Sequence, residues 1–253
     1  MTDASLKSFL DKKLAEFNQP AFINDDPVSV PHLYKQKQDR EIAGFFAAIF
    51  GWGNRKTIIN KSKELMHLMD NAPYDFCIGH RDKDLQKLVS FTHRTFNPTD
   101  LLYFISFFHF HYSHQESLET AFTQFDGDME HKLAGFHHYF FSLTHVPART
   151  KKHIATPERN SSCKRLNMFL RWMVRKDDRG VDLGLWENIS PADLICPLDL
   201  HVARVARKLG MIHSKTNNWK TANELTDHLR RFDPADPVKY DLALFGLGII
   251  DKY

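Results

Sequence analysis

A lysine and an aspartate stand at the starts of two successive helical segments of this chain. Lys164 opens the amphipathic stretch 162–175, and Asp199 lies in Pro197-Leu-Asp-Leu-His201, which leads into the next segment. A lysine amine can attack an electrophilic carbon, and a fixed carboxylate can stabilise the positive charge that forms there. These two residues are therefore candidates for covalent catalysis.

Each member of this pair also has a simpler interpretation. Asp199 follows Pro197 and precedes apolar positions that continue to Gly210, as expected for a helix N-cap. A capping carboxylate is held by backbone N–H groups and kept ionised by the helix N-terminus. Lys164 and its neighbour Arg165 oppose the helix dipole, which favours the neutral amine that attacks carbon. A solvated surface lysine is the alternative for Lys164.

The composition is that of an ordinary globular protein with a local concentration of positive charge. Of its 253 residues, 42% are hydrophobic and 26% are charged, enough for one large core or two small lobes. The net charge of +3 is compatible with a nucleic-acid partner. Basic side chains concentrate in residues 149–176, around Lys164, where a phosphate backbone would bind. A solvated, mobile loop is the alternative for this segment.

The pattern of apolar residues predicts an all-α fold. Spacings of three and four residues recur in segments 42–49, 58–69 and 101–108, and no alternating run predicts a strand. Phenylalanines concentrated between Phe45 and Phe141 predict a helical core filled with aromatic rings.

The chain is predicted to form one two-lobed helical unit over residues 1–253. The polar stretch 147–162 separates approximate lobes at 38–146 and 163–253. We interpret this stretch as a link between two lobes that share a cleft.

Cysteine usage and the lack of targeting signals predict a reduced, cytoplasmic location. The three cysteines are scattered, with no pair at disulfide or zinc spacing. The N-terminus does not resemble a signal peptide, and no stretch approaches the ~20 apolar residues that span a membrane. No carboxylate adjacent to the histidines of segment 109–145 completes a recognisable ligand set such as His-Glu-x-x-His. We therefore expect no metal, cofactor or membrane contact, and the sequence indicates no protein partner.

The sequence resembles the helix-hairpin-helix DNA glycosylase superfamily. Lys164 followed by Pro197-Leu-Asp-Leu-His201 is similar to the lysine and aspartate signature of 8-oxoguanine glycosylases. The long separation of the pair, with Asp241 and Phe245 near the C-terminus, resembles the archaeal 8-oxoguanine branch, and the whole pattern is similar to an uncharacterised bacterial family in this superfamily. An aspartate and an aromatic residue one turn apart share a helix face, where they can bond to and stack on a flipped purine.

This resemblance implies a two-lobed helix-hairpin-helix glycosylase fold and a bifunctional DNA N-glycosylase/AP lyase of base excision repair. Lys164 would attack C1′ and form a Schiff base, Asp199 would stabilise the oxocarbenium-like sugar, and 8-oxoguanine is the expected lesion. A non-catalytic nucleic-acid-binding protein with the same fold is the main alternative. An enzyme acting on single strands, RNA or another lesion is a third.

Two loops are predicted to complete the site. Most relatives carry a glycine-rich hairpin that grips a phosphate just before the lysine, whereas residues 157–164 contain no glycine. The residues expected to contact the DNA backbone instead are Arg159, Ser161, Ser162, Arg165 and His201. The glycine-flanked turn 50–55 places Trp52 and Asn54 as candidates for contact with the base, the alternative being a Trp52 that packs on the core.

Overall fold

The computed structural model describes residues 2–251 and 253, and this part of the chain is helical without a β-strand. Its α-helices are α1 (Asp3–Phe17), α2 (Pro20–Asn24), α3 (Lys37–Ile49), α4 (Arg55–Leu68), α5 (Pro73–Gly79), α6 (Asp82–Leu85), α7 (Pro98–Tyr112), α8 (Thr120–Thr123), α9 (Met129–Phe140), α10 (Lys164–Val174), α11 (Leu200–Lys208), α12 (Trp219–Phe232) and α13 (Tyr240–Ile249). Short 3-10 helices lie at Pro27–Ser29, Pro31–Leu33, Gln86–Leu88, Ala148–His153, Pro157–Arg159, Pro191–Asp193 and Pro237–Lys239. The all-α prediction is confirmed.

Local capping signals explain where several helices begin and end. Asn97 caps α7 through the backbone N–H of Asp100, whose carboxylate accepts the Asn97 N–H in return. Gly210 follows α11 at φ +73°, a left-handed conformation that glycine adopts without steric cost. In the part of the chain that is described, no helix is both long and apolar enough to cross a membrane.

The described residues form two compact units. The first comprises residues 2–24, 128–130, 156–251 and 253, and the second comprises residues 25–127 and 131–155. The boundary near residue 155 falls within the polar stretch 147–162.

The second unit is built around phenylalanine. The Phe45 ring lies 5.6 Å from Phe108 and 5.9 Å from Phe136, both edge-to-face, and all three rings are fully buried. Edge-to-face pairs stabilise a core beyond the burial of their area. The predicted aromatic core is confirmed in this unit.

The first unit packs around the last helix. A Cβ added at Gly246 would lie 2.2 Å from the Phe17 ring of α1, and one added at Gly248 would lie 2.9 Å from Cβ of His201 in α11. Two glycines therefore let α13 approach both neighbours closely. The predicted lobes at 38–146 and 163–253 do not include α1, and the structure places this helix in the first unit.

Candidate active site

The turn before α10 adopts left-handed backbone conformations without glycine. Asn160 has φ +56° and Cys163, the residue before Lys164, has φ +49°. Asparagine tolerates this region, whereas for cysteine it costs about 1–2 kcal/mol. The turn is fixed locally, since the Cys163 N–H donates to Ser161 Oγ at 3.2 Å and Asn167 Nδ2 donates to the Ser162 carbonyl at 3.0 Å. The chain thus enters α10 through a sharp, defined turn.

Asp199 divides its two carboxylate oxygens between the helix and the lysine. Its Oδ1 accepts the backbone N–H groups of His201 and Val202, each at 2.8 Å, so the predicted N-cap is confirmed. Its Oδ2 lies 3.9 Å from Lys164 Nζ. The side chain of Asp199 is 13% exposed and that of Lys164 is 31% exposed, so the pair is sheltered but reachable from solvent. The structure therefore brings together the two residues that the sequence analysis singled out for catalysis.

This arrangement suits covalent chemistry at a carbon atom. The cap fixes the direction of the carboxylate, and Lys164 lies on the first turn of α10 with its amine at the free oxygen. Leu200, the residue after Asp199, is 77% exposed. Sequence reasoning missed this exposed leucine, because its position in an apolar helical pattern predicts burial.

Asp241 is buried and ion-paired. Its Oδ2 accepts a hydrogen bond from Arg171 Nη1, and its Oδ1 lies 3.9 Å from the Cys196 thiol. Burial raises the pKa of Asp241 to about 6, an effect that Arg171 opposes and the charge of Asp199 reinforces. Burial, followed by the charge of Asp241, also raises the pKa of the Cys196 thiol well above its ordinary value. The predicted base-binding carboxylate therefore belongs to the same electrostatic environment as the Lys164–Asp199 pair.

Phe245, the other residue predicted to contact a base on α13, is half-buried. Its ring packs edge-to-face on Phe22 of α2 at 6.2 Å. One side of Phe245 is thus supported by the N-terminal segment.

The residues predicted to contact the DNA backbone differ in exposure. Arg159 is exposed at the end of the 3-10 helix Pro157–Arg159, whereas Ser162 is buried. Burial lowers the pKa of Arg165 to about 10, which leaves its guanidinium charged at neutral pH. His201 packs against Gly248 of α13. Arg159 is accordingly the most accessible cation of this set.

Trp52 and Asn54 belong to the second unit. The Trp52 ring contacts His93 at 5.0 Å and His153 at 6.1 Å, and the indole is half-buried. Asn54 caps α4 by accepting the Thr57 N–H at 3.3 Å. Both residues therefore have clear structural roles within this unit.

A buried network of charges near the pair was not predicted from the sequence. Arg171 bonds to Asp182 at 3.2 Å as well as to Asp241, and Arg175 bonds to Asp182 and, at 2.8 Å, to Asp236. The available signal was Arg171 within the apolar run 169–174, with Arg175 directly after it. Among residues 2–251 and 253, no group of three or more potential ligands is arranged to hold a metal ion.

The sequence matches the family described as protein of unknown function DUF2400 over residues 26–250. The chain belongs to this family. No curated protein and no solved structure matches it.

The matched region contains every candidate site residue described above.

The loop between α10 and Asp199 also lies in the matched region, and it is hydrogen-bonded to the end of the helix. The N–H groups of Leu183 and Leu185 donate to the carbonyls of Trp172 and Met173 at 2.8 and 2.6 Å, and Asp182 bonds to the buried arginines. These contacts satisfy carbonyl groups at the end of α10, so this part of the loop serves as a helix C-cap.

Proposed function

We propose that this protein is a DNA glycosylase with AP lyase activity that excises an oxidised purine, with 8-oxoguanine as the expected lesion. The observation that carries the proposal is the 3.9 Å approach of Lys164 Nζ to the free oxygen of the capping carboxylate of Asp199. The exposure of the pair and the basic segment around it favour a polyanionic substrate.

In the proposed reaction the target nucleotide is turned out of the stack, at a cost of a few kcal/mol. Neutral Lys164 forms a bond from Nζ to C1′ while the bond from C1′ to the base breaks, and the base leaves with the electron pair and takes up a proton. Asp199 stabilises the positive charge on the sugar and accepts a proton from the lysine nitrogen. The sugar ring opens to a protonated Schiff base.

Strand cleavage follows from the same intermediate. The Schiff base acidifies the C2′ protons, and loss of one of them breaks the bond from C3′ to its phosphate oxygen by β-elimination. Water then hydrolyses the imine and frees Lys164. The reaction needs no oxidant or reductant, since the lysine supplies the nucleophile and is recovered at the end.

The proposal is tested by borohydride trapping on a duplex that carries a single 8-oxoguanine and on a duplex that carries an abasic site. Borohydride reduces the imine to a stable amine, so the wild-type protein should be captured covalently on both duplexes. Lys164→Gln should give no adduct. The matched control Lys176→Gln removes a lysine of the same basic segment and should be trapped like the wild type.

Two results would overturn this proposal. Equal trapping of Lys164→Gln and the wild type would show that another amine is the nucleophile. A wild-type protein that binds the duplexes and is trapped on neither would be a non-catalytic nucleic-acid-binding protein.

A further inference from the structure

Helix α10 directs two cations toward two aspartates. Lys164 and Arg171 are seven residues apart, which is two helical turns and about 10 Å along the axis, so they share one face. Lys164 forms an ion pair with Asp199, and Arg171 forms one with Asp241. A single rigid element therefore sets the positions of both ion pairs.

Arg171 is held from two directions. Its Nη1 donates to Asp241 Oδ2 and its Nε donates to Asp182 Oδ1 at 3.2 Å. The side chain of Arg171 is 5% exposed and that of Asp182 is fully buried. Because Asp182 fixes the guanidinium of Arg171, this guanidinium can hold the carboxylate of Asp241 in one orientation.

Asp241 is surrounded by groups that act on its charge in opposite ways. Arg171 favours the ionised form, whereas burial and the negative charges of Asp199 and Asp182 disfavour it. The Cys196 thiol faces the other oxygen at 3.9 Å. Among these neighbours Arg171 supplies the opposing positive charge, so the ionisation of Asp241 at neutral pH depends on it.

We propose that Arg171 is a positioning residue that holds Asp241 as an oriented, negatively charged acceptor for the N–H groups of the excised base. This inference rests on the proposed glycosylase function and assigns recognition of the base to the second ion pair. An ionised carboxylate accepts hydrogen bonds and donates none, so at the N7 edge of the ring it favours a base that has an N–H there. 8-Oxoguanine carries an N7–H, whereas guanine has an acceptor at N7.

If Arg171 positions Asp241 for the base, its substitution should affect excision and abasic-site cleavage differently. Excision from an 8-oxoguanine duplex needs both the Lys164–Asp199 pair and recognition of the base. Cleavage at a preformed abasic site needs the pair alone, because no base is present. Arg171→Lys should therefore slow excision at least about tenfold, the effect of losing a charge-assisted hydrogen bond, while abasic-site trapping stays within about twofold of wild type.

Arg175→Lys is the matched control. Arg175 is as deeply buried as Arg171 and shares Asp182 with it, but its further partners are Asp236 and, at 3.9 Å, Asp177. The variant should change excision and abasic-site trapping by the same factor. A second readout is the pH profile, in which wild-type excision should rise as Asp241 ionises near pH 6 and the rise should move to higher pH in Arg171→Lys.

Circular dichroism checks that each variant folds. If Arg171→Lys does not fold, the nearly isosteric Asp241→Asn should reproduce the loss of excision with retained abasic-site trapping. Equal losses of both activities, or excision at the wild-type rate with an unchanged pH profile, would overturn the role of Arg171. A wild-type protein trapped on abasic DNA that does not excise 8-oxoguanine would overturn the assigned base, and one trapped on neither duplex would remove the glycosylase function and this inference with it.

Discussion

Replacing Asp199 by asparagine separates the structural role of this residue from its proposed chemical role. In Asp199→Asn the side-chain amide keeps an oxygen that accepts the N–H groups of His201 and Val202, since asparagine and aspartate are comparable N-caps. The variant loses only the negative charge beside Lys164 Nζ. Asp199→Ala, in contrast, loses both the cap and the charge.

The size of the effect follows from the geometry. Two unit charges 3.9 Å apart interact by about 4 kcal/mol at an effective dielectric constant of about 20. Because Lys164 is 31% exposed, solvent screens the pair and we expect about 1–3 kcal/mol. A cation on the sugar at a similar distance would lose the same stabilisation, so cleavage should slow roughly 10- to 100-fold.

The assay combines single-turnover cleavage of an abasic-site duplex with thermal unfolding. Both variants should lose activity to a similar extent, while Asp199→Ala should be less stable than Asp199→Asn by about 1 kcal/mol, or roughly 2–4 °C in Tm. Wild-type cleavage by Asp199→Asn would refute the electrostatic role. If the loss of activity in each variant were proportional to its loss of stability, capping would be the whole contribution of Asp199.

Two further predictions concern stability. Gly246→Ala should cost about 1–3 kcal/mol in the free energy of unfolding because its Cβ would overlap the Phe17 ring, whereas Gly79→Ala, with open space around it, should be neutral or stabilising; thermal unfolding compares the two. Burial lowers the pKa of His111, whose Nε2 bonds to the Ser117 carbonyl, so the unfolded chain takes up this proton first and stability should fall as the pH drops below about 6.5. Urea unfolding at pH 7.5 and 5.5 should show a smaller fall in His111→Gln, and an unchanged fall would contradict this account.

Local signals made the main helices predictable from the sequence. The periodic segments 42–49 and 101–108 lie within α3 and α7, and Asp199 caps α11 as its neighbours indicated. Such features depend on residues within a few positions of each other, so a single sequence contains the information. The 3.9 Å approach of Lys164 to Asp199 was suggested by the resemblance to glycosylases, since periodicity alone cannot bring two helix starts together.

Contacts between helices that are far apart in the chain could not be predicted from the sequence. The packing of α1 on α13 depends on Phe17 meeting Gly246, two residues more than 200 positions apart. Arg171 interrupts the apolar run 169–174 and Arg175 follows it, a pattern that indicates a solvated edge as readily as a buried ion pair. The left-handed conformation of Cys163 has no sequence signal, since this residue type rarely adopts it.

The buried charges explain how the position of Lys164 is maintained. The approach of Lys164 to Asp199 is long and partly screened, so it is too weak to fix the rotation of α10 about its axis. Rotation of the helix would break the bonds of Arg171 and Arg175 to Asp182, and stranding one partner of a buried ion pair costs about 3–5 kcal/mol. The network at the C-terminal half of α10 therefore sets the direction in which its first residue points. Loss of Asp182, the partner that both arginines share, should therefore displace the lysine by changing the register of the helix.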